Sequence, residues 1–537
     1  MKIITCFIFL SLLTQTLSSQ PFELQQKSLD GNNVSTFIQN KATFNSDIRS
    51  TNTPGLMWPR GSNKFAFFTT GFTIAAYVSG QLRMSAAYYG GEYRPGYSQG
   101  GQFFTESRFR FYKVSKGDNY VNNPDWLNWG DMVPFGAPYI DVDGDEIYNY
   151  HIDTPGVSNA SQTIFICLTD GDSTFHTIGT GFGGGTKPLF AEVHLIAWCY
   201  DNVGLDDAQF FNWNVTNKSN FTWDSVYFGI VCDPDLGAAG DDYTGCDTNL
   251  NLQYVYNADN MDGTGNPPEY GLNPPAAGMC LLKGAVGDQI SYGASSLRVF
   301  HKAEPCDRDP NSSIEGYRLL KGLKNDGTPY VVPNTSPPVI TKFTYPGNPE
   351  TAQGWTEFSG RVNNCGGSLF GQIVVPAPPA DRRMMICSGS TLLSMDPGDK
   401  QTICMSQMVA QGTNNLNAVT KLKTLAQNVI TFYNKNDPIG INLISTTVPD
   451  KFELYQNYPN PFNPVTNLGF GISNRGFVSL NVYDALGKEV TELVNESKPA
   501  GRYNITFDGS NLSSGIYFYS LTVDGVMFET KRMILLK

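Results

Sequence analysis

The sequence predicts a mainly all-β protein: a β-sandwich-rich, multi-domain body with one amphipathic helix, then a C-terminal immunoglobulin-like seven-stranded sandwich. Three observations predict it. Aromatics make up 13% of the chain and charged residues only 16%, beside 54 glycines and 32 prolines, a mix that suits short strands and many turns. From Leu468 onward the apolar positions alternate strictly with small or polar ones. One stretch, 414–437, carries a helical period. At 537 residues the chain is long enough for several domains, each with its own core.

The first residues, "MKIITCFIFLSLLTQTLSSQ", place one lysine before an apolar run from Ile3 to Leu13 and small residues at Ser18 and Ser19. That order reads as a signal peptide over 1–19, and the run is too short to span a bilayer. No other apolar stretch has spanning length, so no transmembrane segment is expected. A formal net charge of −12 without a local Lys/Arg cluster argues against nucleic acid as a partner.

Residues 20–435 read as a β-rich secreted body that allows two subdomains. "TIFICL", "LIAWCY" and "QTICMS" are strand-like runs that bury Cys167, Cys199 and Cys404 as free thiols. Export permits disulfides; Cys232 and Cys246 flank an acidic loop and could bridge across it, while Cys280, Cys306, Cys365 and Cys387 lie near turns. No CxxC pair exists, so a thiolate zinc site is not expected. "GTGFGGGT" at 179–186 lacks a GK[ST] ending and reads as a flexible hairpin loop. His151, His176, His194 and His301 show no metal-binding spacing, and His194 reads as a core residue. No GxSxG is present, and Ser295 has no identifiable base partner. Trp126, Trp129 and Tyr139 read as core aromatics, with a sugar-stacking platform as the alternative.

Two acidic stretches carry the metal chemistry. In "DVDGDEIYNYHID", Asp141, Asp143 and Asp145 alternate around Gly144, with Asp153 downstream. Carboxylates at every second position can converge on calcium, which takes roughly six to eight oxygens in loose geometry. A solvated turn uses the same residues. In "CDPDLGAAGDDYTGCD", Asp233, Asp235, Asp241, Asp242 and Asp247 crowd one stretch without a nearby cation. Calcium would relieve their repulsion; a plain exposed loop and a paired-carboxylate glycosidase site are the alternatives.

In the helical stretch, Val419, Leu422, Ala426, Val429 and Tyr433 share one face, and Asn415 or Asn417 can cap it. The helix is expected to cover the edge of the last body sheet. Residues 436–450 lose all periodicity and read as a linker open to processing. In 451–537, Val478, Leu480 and Val482 alternate with Ser479 and Asn481, and Asp524–Gly525 is a hairpin turn of the type that needs positive φ at both centres. "LYQNYPNPFNP" at 454–464 is proline-stiffened. It should run extended along a sandwich edge, with Tyr458 and Phe462 plugging the core.

"LYQNYPNPFNPVTNLGFGI", "VSLNVYDALGKEV", "LSSGIYFYSL" and the terminal "KRMILLK" resemble, in order and spacing, the type A C-terminal sorting domain of the type IX secretion system. The resemblance covers roughly 447–537. It implies passage across the outer membrane of a Gram-negative bacterium. It also implies partnership with the secretion machinery and its sortase-like peptidase, then release or attachment to surface lipopolysaccharide. "GAPYIDVDGDEIYNYHIDTPG" and "VYFGIVCDPDLGAAGDDYTGCD" look like phrases of large secreted proteins with the same tail, which extends the export reading without naming a reaction. The expected function is an exported surface or extracellular protein, non-catalytic, structural or adhesive and calcium-stabilised. The alternative is a protein that binds polysaccharide or hydrolyses glycosides, with glycans as partners.

Overall fold

The computed structural model describes residues 22–537 apart from 50–52, 178, 288–289, 302–304, 368–372, 437–440, 446–451, 458, 474–475 and 499–500. The signal-peptide reading of 1–19 and the plugging role of Tyr458 lie outside the described residues.

Two nine-stranded antiparallel sheets form the body. The first runs Gln26–Leu29, Thr36–Gln39, Thr43–Phe44, Thr69–Val78, Trp223–Asp233, Arg382–Gly389, Ser296–His301, with Gln81–Ser85 and Ser394–Met395 as side branches. The second runs Tyr112–Ser115, Gln162–Thr169, Ala191–Cys199, Ala208–Asn217, Lys400–Ala410, Ala276–Lys283, Leu252–Asn257, Asp242–Asp247, with Arg94–Pro95 beside Gln162–Thr169. Sequence-distant strands interleave, so neither sheet is a local unit: Ala208–Asn217 pairs with Lys400–Ala410.

The inner faces meet in one apolar core. Phe72, Phe228, Ile230, Met384 and Ile386 from the first sheet pack on Ile166, Leu195, Trp213, Ile403 and Met405 from the second. Phe72 and Trp213 stack nearly parallel with centroids 4.7 Å apart, and Phe44 stacks on Phe211 at the same distance. The outer faces are covered too. The helix Asn415–Asn436 and the aromatic segment around Trp129 cover the second sheet, and the helix Ser313–Leu320 covers the first. Burial on both sides explains why all eight residues of Gln162–Thr169 are buried.

The long helix buries Val419, Leu422, Ala426 and Val429, with Tyr433 partly buried against the same cluster, as the period predicts. Two details differ. It lies across a sheet face and not an edge, because its stripe matches the apolar outer side of Leu252–Asn257, Ala276–Lys283 and Lys400–Ala410. Its cap is Asn414, whose Oδ1 accepts the Asn417 amide at 2.8 Å, while Asn415 Nδ2 donates to the Asn257 carbonyl. Trp129 is fully buried and its indole N–H donates to the Pro138 carbonyl, so the core reading of that aromatic holds.

Cysteine pairing departs from expectation. Cys232 and Cys246 sit in different sheets, both buried and free, and so do not bridge the acidic loop. The disulfide is Cys306–Cys365, closing a separation of 59 residues. Cys167, Cys199 and Cys404 are buried and outside any disulfide, as their apolar runs predict.

The C-terminal region is a second sandwich. One four-stranded sheet is ordered Ile441–Ser445, Gly501–Asp508, Val465–Ile472, Glu453–Leu454; the other is Glu489–Lys498, Gly476–Tyr483, Gly515–Val523, Val526–Leu535. Among the described residues seven of its eight strands lie within 451–537, as expected there. Ile441–Ser445 falls inside the stretch read as linker and pairs with Gly501–Asp508, its backbone supplying ladder bonds that no side-chain pattern announces. The Asp524–Gly525 turn has positive φ at both residues, 49° and 78°. Phe462 is buried against Phe507, and its backbone exchanges hydrogen bonds with Ile534 and Leu536, so the proline-rich entry does run along the sandwich edge.

Trp213→Ala should destabilise the body by about 3–5 kcal/mol, because it empties the space between the two sheets. Denaturant unfolding followed by tryptophan fluorescence measures it. A loss below about 1 kcal/mol would show that the sheets are not held together at this stack.

Candidate functional site

Asp141, Asp143 and Asp145 sit in the loop that joins the two-residue strands Tyr139–Ile140 and Thr154–Pro155. Carboxylate oxygens of all three lie within 4.8 Å of one another. Asp141 organises the turn: its oxygens accept the amides of Gly144 and Glu146, both at 2.8 Å, and Gly144 has φ 74°. Those amides, Glu146 first, hold its carboxyl below the usual range. Local desolvation, and then the charges of Asp145, Asp153 and Asp141, push Asp143 up. Among the described residues no lysine or arginine pairs with any of the three.

Asp153 plays a different part. It is buried, and its two oxygens accept the amides of Val142 at 2.9 Å and Asn149 at 2.6 Å. It braces the loop from beneath and stands outside the converging group.

The second acidic stretch is dispersed. Asp247 pairs with Lys423 of the long helix at 3.1 Å. Asp242 is buried and accepts the Leu236 amide at 3.1 Å; burial drives its carboxyl well up. Asp241 faces the Gly263 amide. Asp233 and Asp235 instead converge with Asp381, their oxygens again within 4.8 Å. The missing cation is Arg383, from the neighbouring strand, which pairs with Asp233 and Asp381 and lies 3.7 Å from Asp309. Tyr89 donates its hydroxyl to Asp233 at 2.6 Å. Burial, then the charge of Asp235, pushes Asp233 up to about 8 against the pull of Arg383.

Arg383, Asp381, Asp309 and Tyr89 escaped the sequence reading because strand pairing, not proximity in the chain, brings them to Asp233. The one local signal was "DRR" at 381–383, charges leading directly into a buried apolar strand.

Tyr89 is 38% exposed and floors an open cavity of about 190 Å³ lined also by Gly181, Gly183, Asp309 and Asn311. His194 meets Glu192 at 3.0 Å and is satisfied within its strand, as expected.

The fold thus defines an all-β body joined to a separate, compact C-terminal sandwich. Residues 456–536 match the family described as the secretion system C-terminal sorting domain. The chain carries a type IX secretion sorting tail and is a protein exported across the outer membrane to the cell surface or the extracellular space. Among the described residues no helix is long and apolar enough to cross a membrane. No curated protein matches the chain. Among solved structures, a polysaccharide lyase matches at 7% identity and TM-score 0.18, over 64% of this chain and 34% of the lyase. A candidate aldose 1-epimerase from Escherichia coli K12 matches at 11% identity and TM-score 0.23, over 73% of this chain and all of that one. Likenesses this distant carry no argument about activity.

Removing Arg383 should be costly, because it takes away the cation that faces the buried Asp233 and the partly exposed Asp381. Arg383→Ala is expected to lose about 3–5 kcal/mol once the pH is high enough to ionise Asp233. The sign with pH follows from Asp233, whose folded value is raised above its unfolded one. Its contribution is full below the unfolded value and is lost as pH rises through about 8. Without Arg383 that rise steepens, so the variant's deficit should shrink in acid and grow in base. Urea melts at several pH values measure it; a deficit that does not vary with pH would refute the charge account.

Proposed function

We propose that the body is a non-catalytic extracellular module, structural or adhesive, held rigid by calcium in the Asp141–Asp145 loop. The observation that supports this is the convergence of three carboxylates, two of them exposed, on a turn already organised by backbone amides. Such an arrangement offers a hard cation several oxygens without first having to reorganise the chain. On this reading the tail hands the protein to the secretion machinery and its sortase-like peptidase, and surface lipopolysaccharide or glycans meet the body afterwards.

Calcium that binds only the folded state raises stability by RT ln(1 + [L]/Kd), about 2.7 kcal/mol at a hundredfold excess over Kd. Chelator should therefore lower the thermal midpoint of the wild type. Asp143→Asn should abolish that response, while Asp247→Asn, remote from the loop, should leave it intact. The same midpoint with calcium and with chelator would reduce the loop to a plain turn.

A second reading, saccharide binding, is favoured by the Tyr89 cavity, where an exposed ring stands beside Asp309 and Asn311. Glycan-array binding by the full secreted protein, lost in Tyr89→Ala, would support it. An array without signal would leave the structural reading alone.

A further inference from the structure

The glycine-rich segment 179–186 reads from sequence as a flexible hairpin loop, yet it is pinned on both sides. Phe182 is fully buried beside Phe300. Thr186 Oγ1 accepts the Met84 amide at 2.8 Å and donates to the Met84 carbonyl. Gly181 lies so close to the Tyr89 ring that a Cβ there would stand 2.5 Å from it, and Gly184 leaves only 2.6 Å between such a Cβ and Glu92 Oε1. Glycine is required at both places by close approach as well as by φ near 80°.

The group that holds the loop is Glu92, which is fully buried. Its Oε1 accepts the Gly185 amide at 2.7 Å and its Oε2 the Ala86 amide at 2.8 Å. Beside it lies His176, whose side chain is 2% exposed. His176 Nε2 is 2.8 Å from the Asp170 carbonyl oxygen, an atom that can only accept, so Nε2 carries the ring proton of the neutral imidazole. Nδ1 is then a lone pair, buried, without a hydrogen-bond partner, and 3.7 Å from Glu92 Oε2. A carboxylate and a lone pair facing each other out of water repel; one proton on either turns the contact attractive.

We propose that Glu92 and His176 hold one proton between them and form a pH-sensitive latch on the loop 179–186, which walls the Tyr89 cavity. The other titratable groups facing the pair are Asp170 and Tyr93. Asp170 Oδ2 is 3.6 Å from His176 Nε2, and its carboxylate is held by the amides of Leu189 and Ala191 and by Ser85. The buried Tyr93 hydroxyl donates to the Ser85 carbonyl. Neither supplies a cation, so the proton on the pair is what balances it.

The direction with pH follows. Burial raises the Glu92 carboxyl to about 7, opposed by His176 and the two amides. A folded value above the unfolded one means that the latch is closed in acid and loses strength as pH rises through about 7. This inference does not depend on the calcium reading, whose loop shares no residue with it.

Amide hydrogen exchange of the full secreted protein tests it. Between pH 6 and pH 8.5, after correction for the intrinsic base-catalysed rate, protection of the 183–186 amides should fall by about tenfold, the worth of one pKa unit. Glu92→Gln keeps the Gly185 bond, gives up the Ala86 bond at every pH alike and offers Nδ1 a permanent donor, so its protection should stay flat with pH. Wild-type protection that does not change with pH would overturn the latch, as would an equal fall in Glu92→Gln. Where that variant does not fold, the ring-nitrogen shifts of His176 in the wild type decide. Titration coupled to the Gly185 amide shift supports the shared proton, and titration without any response at Gly185 refutes it.

Discussion

The body depends on the closure of two large sheets over one dry interior. Phe72 from one sheet and Trp213 from the other stand parallel at van der Waals distance, with Phe44, Phe211 and Phe228 extending the aromatic layer. Rings bury large area at small entropic cost, and offset stacking aligns strands distant in sequence. Each sheet is also covered on its far side, so the middle strands have no face left for water. The chain gains a single extended core from this, and pays for it with long-range pairings such as Gln209 with Gln407.

Wherever the sheets end, charge has to be managed without water. Arg383 neutralises part of the acidic group at the end of Trp223–Asp233. One residue earlier, Arg382 meets the buried Glu357, which also accepts from the Thr244 amide and hydroxyl. Adjacent arginines on one strand point to opposite faces, so a single "RR" serves two separate buried carboxylates. The disulfide Cys306–Cys365 ties down the excursion that supplies Glu357 and Asp309. In the chain-entropy account a loop of this length contributes about 4 kcal/mol, an option open to an exported protein.

The two acidic stretches show how far carboxylate spacing can be trusted. Asp141, Asp143 and Asp145 are gathered by a turn that lies within five residues, so their convergence follows from local backbone geometry. Asp233, Asp235, Asp241, Asp242 and Asp247 sit on a strand end, the loop after it, a one-turn helix and a second strand belonging to the other sheet. Their neighbours are chosen by pairing partners far along the chain. The charge repulsion legible in the sequence is real, but an arginine 150 residues away and a lysine on the last body helix relieve much of it.

The same division runs through the whole molecule. The sequence by itself determined the C-terminal sandwich, down to the Asp524–Gly525 turn and the buried Phe462, because its strands have one wet face and so alternate visibly, as in Gly476–Tyr483. It determined the long helix for the same reason. Only the tertiary structure decided the order of the body strands, the disulfide partners, the strand Ile441–Ser445 and the surroundings of Arg383, Glu92 and His176. Strands buried on both faces carry no period, backbone pairing leaves no mark on side-chain identity, and buried charges are matched in space between residues that the chain keeps apart.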